Sequence, residues 1–103
     1  MIARIWSGRA TPANAGHYQR HFTDDVAPQL QSIPGHQGAY LLRRETGGEV
    51  EFVAVTLWDS LETVRQFTGS DPSVAIVEPA ARAVLSDFDP DVRHYDVVAR
   101  PAS

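Results

Sequence analysis

Two residue pairs carry the acid–base potential of this chain. In VRHYDVV, His94 and Asp96 stand two apart, so on a strand they share a face. An imidazole next to a carboxylate can act as an acid/base pair, the carboxylate raising the ring's basicity; the same two groups could equally serve cross-strand contacts that only set register. In HYQRH, His17 and His21 fall at i, i+4 on one helical face. That spacing is compatible with a metal, but no third ligand and no general base accompany it, so a surface pair bordering a buried stripe is expected. Arg4 could hold a phenolate or carboxylate by charge-assisted hydrogen bonds, while Arg43 and Arg44 read as a solvated strand edge. The acidic run DFDPD lacks the spacing of a calcium loop and reads as a turn.

The aromatic residues supply walls. Trp6 and Trp58 sit in apolar strand company, which suits core packing. Trp58 also ends its strand, where it could line a flat cavity together with Trp6, Tyr40 and Phe67.

The elements that must place these groups follow from hydrophobic periodicity. IARIWSGR, residues 2–9, reads as a strand. Thr11 caps a helix with Pro12 at its first position, and Tyr18, Phe22, Val26, Leu30 and Ile33 form one stripe of that helix to about Ser32. Pro28 predicts a kink near Ala27. A second strand over HQGAYLLRRE, a tight turn at Thr46–Glu49 and a third strand over VEFVAVTLW follow. Asp59 or Ser60 caps a short helix, SLETVRQF, with Glu62 at capping-box spacing from Asp59. A further helix over 74–85, interrupted by Pro79, leads to the turn and to a last strand, VRHYDVVA; the tail RPAS should fray.

The order β-α-β-β-α-β predicts an α+β, ferredoxin-like fold: one domain over 1–103, with two helices on one face of a four-stranded antiparallel sheet. In strand three Val53, Val55 and Leu57 face one way and Phe52, Ala54, Thr56 and Trp58 the other. Both faces are mostly apolar, so the face without helices needs a cover, and a second copy of the sheet supplies one. A homodimer with sheets face to face, a dimeric α+β barrel, is the expectation.

Composition narrows the function. The 103 residues hold 9 basic and 13 acidic side chains, a net charge of −4, without the basic stripe that nucleic acid requires. With no cysteine, disulfides, thiolate catalysis and Cys-ligated metals are excluded. No stretch approaches the roughly 20 apolar residues of a membrane span or forms a signal peptide, so a cytoplasmic protein away from membranes is expected.

VTLWDSLETVRQF, a late HYDV, an aromatic-bearing first strand and the turn IPGHQGAYLLR together resemble the antibiotic biosynthesis monooxygenase domain over about residues 2–99. The resemblance implies the same dimeric barrel. It implies a range of activities, among them cofactor-independent oxygenases that turn electron-rich phenols or anthrones into quinones, and heme degraders. The heme-degrading branch carries an asparagine in the first strand, a tryptophan in the helix after strand three and an iron-ligating histidine ten residues on; here those positions hold Trp6, Phe67 and Val77. Heme degradation by that route is therefore disfavoured. The expectation is a monooxygenase taking a small aromatic molecule and dioxygen with no resident cofactor or metal. In it His94 (with Asp96) is the base, Arg4 the anion partner, and Trp6, Tyr40, Trp58 and Phe67 the walls. The alternative is a small-molecule binding or accessory module without catalysis; a third reading, ranked below both, is heme binding or degradation through one of the other histidines.

Overall fold

A computed structural model describes residues 1–101; part of the RPAS tail, and the fraying expected of it, lies outside the described residues. Strand β1 (Ile2–Ala10) is central. It pairs antiparallel with β3 (Glu49–Trp58), which pairs with β2 (His36–Thr46) on its far side. Gly47 and Gly48 join β2 to β3, both with positive φ (58° and 82°), the two-residue turn whose twist matches the flanking strands and which favours glycine. The free edge of β1 carries two short strands, β4 (Asp87–Phe88) and β5 (Arg93–Asp96), both antiparallel to it. The sheet is thus ferredoxin-like and antiparallel, as the element order predicts. The last strand differs: Pro90 lies in a bulge between its halves, where it lacks the N–H that a continuous ladder would need.

The first helical run holds three segments: α1 (Pro12–His21), a π-helical turn (Phe22–Val26) and α2 (Ala27–Gln31). Thr11 caps it, its side chain accepting from the Asn14 N–H. A proline ring collides with the carbonyl four residues back and brings no donor, and the wider turn directly before Pro28 accommodates both. The kink expected at Ala27 is this turn. Helix α3 (Leu61–Thr68) is capped by Ser60, whose hydroxyl accepts from the Thr63 N–H, so the cap is Ser60 and not Asp59; Glu62 pairs with Arg65 instead of closing a capping box.

The helix expected over 74–85 shrinks to α4 (Pro79–Arg82). Residues upstream of it are extended because tertiary bonds take their backbone: Val74 bridges Asp91, and Ala75 N–H donates to Pro90 O. β-Branched Val74, Ile76 and Val77 resist helix only weakly by themselves, so these bonds decide.

Even-numbered residues of β1 and β3 face the helices. Ala10, Val50 and Phe52 pack with Ala15 and Tyr18 in one cluster; Trp58, Leu30 and Val64 form a second. On the opposite face Tyr40, at 59% exposure, Leu42 and Tyr95 stand open beside Val53, Val55 and Leu57. Among the described residues no helix is long and apolar enough to cross a membrane.

Candidate functional site

A cavity of about 80 Å³ lies between the helix-side face of the sheet and the helices. Trp6 and Ala54 form its floor, Tyr18, Phe22 and Leu30 one side, Phe67 another, and the extended segment at Ile76–Glu78 closes it. Trp6 holds its place by two means. Its indole N–H donates to Asp89 O at 2.8 Å, and its ring lies over Gly8, where an added Cβ would meet the ring edge at 2.7 Å. Glycine at position 8 is what lets the indole lie flat.

Three polar side chains, two in the wall (Arg4 and His21) and one bonded behind it (His94), are the chemically distinctive ones here; Glu78 and Thr56 also line the space. Arg4 is 6% exposed and lines the cavity. It donates to Pro72 O at 2.5 Å, to Val74 O at 3.3 Å and to Nε2 of His94 at 3.0 Å. These are neutral acceptors, and among the described residues no carboxylate lies within ion-pair distance of it. Burial pushes its guanidinium down to about 10, so it is still a cation at neutral pH. An uncompensated buried cation is costly, and an anionic ligand would relieve that cost.

Arginine has only donors, so Nε2 of His94 must be the acceptor in their bond. Burial first, and then the Arg4 charge, hold His94 below the ordinary histidine range. His94 and Asp96 do share the helix-side face, opposite Arg4 and Ile2 respectively, as the alternation predicts. Asp96 is exposed, and its carboxylate makes no hydrogen bond to the ring. The neighbour that sets the imidazole's basicity is a cation, and its effect is to lower it.

The third polar group is His21. It was expected at the surface; it is 8% exposed and lines the cavity. Its Nδ1 lies 2.9 Å from Oδ2 of Asp25, and its buried Nε2 has no hydrogen-bond partner. His17 is exposed and bonds Arg20, so the HYQRH pair divides between surface and interior. Among the described residues no cluster of three or more metal-ligating side chains occurs. Tyr18 lines the same space with its phenol held protonated, burial raising it well above the ordinary tyrosine value.

Of the expected walls, Trp6 and Phe67 line the cavity. Tyr40 is on the other face of the sheet. Trp58 is fully buried in the second cluster, stacked on Phe67 at 6.1 Å between centroids, with its N–H donating to Oγ1 of Thr56 at 2.8 Å. It supports Phe67 from behind and does not reach the cavity. The signal for His21 was present in the stripe itself, since it directly precedes Phe22 and follows Tyr18 by three; its burial came from the helix's rotation on the sheet. A second depression, between α2 and the start of β2, is lined by Phe22, Ala27, Gln31 and His36. Burial lowers His36, and its ring meets Trp58 edge-on at 5.0 Å.

One antiparallel sheet under a broken helical layer, with an aromatic cavity between them, is a ferredoxin-like α+β architecture. Residues 1–79 match the antibiotic biosynthesis monooxygenase family, and the chain belongs to it. No curated protein matches the chain. Among solved structures, a Bacillus cereus protein named for the same family superposes with a TM-score of 0.71 at 16% identity, over 99% of this chain and 97% of that one. The heme-degrader MhuD of Mycobacterium tuberculosis, with two hemes bound in its active site, gives 0.64 at 23% identity over 99% and 100%. SnoaB, a cofactor-independent oxygenase of Streptomyces nogalater, gives 0.63 at 18% over 98% and 94%, in a mutant form. At these identities the likeness is one of fold.

Trp6, Phe67 and Val77 all line the cavity, so the positions that resemble the heme-degrading branch converge there, but with other chemistry. Val77, at the position of that branch's iron-ligating histidine, offers no ligand.

Proposed function

We propose that this protein is a monooxygenase that oxidises a small electron-rich phenol with a hydrogen on the ring carbon opposite its hydroxyl, drawing the electrons for dioxygen from the substrate itself. The observation that carries the reading is Arg4: a buried cation with no carboxylate in ion-pair contact among the described residues, in the wall of a mainly apolar cavity that includes Trp6, Tyr18 and Phe67 and has Glu78 at its edge. A neutral phenol suits the aromatic walls, and its anion suits the guanidinium. Ionisation raises the ring's electron density, and the phenolate passes an electron to dioxygen. Recombination forms a carbon–oxygen bond at the ring carbon opposite the oxygen. Loss of that carbon's proton and of hydroxide yields a quinone; one oxygen atom enters the product and the other leaves as water. The cavity's size favours a single ring over an anthrone unless the segment at 76–78 moves.

In this chemistry Arg4 holds the anion. His94 fixes Arg4 through the 3.0 Å bond, and that bond occupies the lone pair a base would need. Its role is then to position Arg4, and Asp96, unbonded to the ring, takes no part. Trp6 and Phe67 stack on the substrate, and Trp58 backs Phe67. SnoaB's description as a cofactor-independent oxygenase agrees with the reading. The open apolar face bearing Tyr40, Leu42, Val53 and Val55 pairs with a second copy to make the dimer.

Oxygen uptake by chelator-treated protein, measured over single-ring phenols, naphthols and anthrones, tests this. Uptake above autoxidation that is lost in Arg4→Gln is the expected result. No uptake from a folded dimer that still binds phenols would make the protein a binding module instead.

A further inference from the structure

We infer that His21, positioned by Asp25, is the group that takes the phenolic proton; this assignment rests on the phenol reading of the cavity above. The argument is one of geometry. A carboxylate oxygen can only accept, so the 2.9 Å contact with Asp25 places the ring's proton on Nδ1. The lone pair is thereby left on Nε2, the buried atom without a partner, on a residue that lines the cavity. A buried unpaired nitrogen costs stability, and a donor from a ligand in this cavity would remove that cost; the Nε2 of His36 is unpartnered as well, but that residue lines the separate depression beside α2. A phenol O–H is the donor that such a nitrogen lacks.

The other groups around the space are consistent with this division of labour. Arg4 and Glu78 lie on its other walls, and the Tyr18 ring sits 6.4 Å from His21 between centroids. Arg4 has only protons to give and Tyr18 keeps its own; Glu78 is a competing acceptor on the wall, and Glu78→Gln should leave the ionisation of a bound phenol probe as in the wild type. Asp25 is 61% exposed, so the pair runs from the cavity to water. In the transfer the phenol O–H bond breaks, an Nε2–H bond forms, and the electron pair remains on the phenolate oxygen facing Arg4. The imidazolium so formed is stabilised by Asp25. The π-helical turn directly after His21 carries Asp25, and such turns gather at functional sites.

The test uses 4-nitrophenol, whose anion absorbs in the visible. In the wild type the bound probe should be anionic about one pH unit below the free probe's own midpoint, roughly a tenfold shift. Its binding there should release no net proton to the buffer, because His21 keeps it. His21→Gln should bind the probe in its neutral form at that pH. Asp25→Asn, altered on the exposed side of the pair, should ionise the probe only at higher pH. A purely structural Asp25 would not move that profile. Anion formation in His21→Gln equal to wild type would overturn the assignment while leaving the phenol reading intact. A wild type that binds no phenol at all would overturn both.

Discussion

Arg4 and His94 face each other across the β1–β5 pairing, guanidinium to Nε2 at 3.0 Å, and the bond joins a cation to a neutral ring. It ties the central strand to the broken edge strand, and with the Pro72 and Val74 carbonyls it pins the extended segment that roofs the cavity. One side chain thus organises the polar end of the site.

Replacing Arg4 by methionine separates binding from folding. The substitution removes a desolvated charge but strands three acceptors, two opposing effects of similar size, so stability should change by no more than about 2 kcal/mol. Affinity for an anionic phenol should fall at least about tenfold, since a charge-assisted bond is worth roughly 1.5–3 kcal/mol. Thermal melts and titration with 4-nitrophenolate read the two effects.

Acid should destabilise the fold in the histidine range. His36, by burial, and His94, by burial and then by Arg4, both titrate below the free histidine value of 6.5 when folded. The unfolded chain therefore binds protons first, and stability present above about pH 6.5 is lost as pH falls through the folded values. The thermal midpoint should drop between about pH 7 and pH 5, and His94→Gln should flatten that slope. Asp71, lowered from 3.8 by its Ser73 hydrogen bonds, acts only at more acid pH.

Trp58→Ala should cost about 3–5 kcal/mol, the usual range for emptying a fully buried indole site. Phe67→Ala, at a half-buried cavity wall, should cost less and weaken ligand binding more. Urea unfolding set beside probe titration distinguishes them. Loss of binding without loss of stability in Trp58→Ala would place that indole in the cavity after all.

Val55→Lys puts a charge in the middle of the open sheet face, paired with Ile5 and Tyr40. Sedimentation should show a dimer for the wild type and a monomer for the variant. A wild-type monomer would leave that face to some other partner.

Strand alternation, capping residues and the glycine turn were legible because they depend on near neighbours in the chain. β1 to β3, the first helix with its break before Pro28, and the two apolar faces follow from such local rules. What local rules missed shares one cause. The helix expected over 74–85 gave way to bonds with Pro90 and Asp91, and the last strand split around Pro90; both outcomes come from contacts distant in sequence. Tyr40 looked like a wall until the sheet's faces were assigned to helix or solvent, a choice that alternation leaves open.

The sequence by itself determined the fold, the two-sided apolar sheet and the residue types available for chemistry, because period and composition are properties of the chain alone. Only the tertiary structure decided which of them meet. It placed His94 against Arg4 and not against Asp96, sank Trp58 into the core behind Phe67, and turned His21 inward with Asp25 outside it. Those are questions of how a helix is rotated on a sheet and which strand lies beside which, and they are settled by packing over the whole domain.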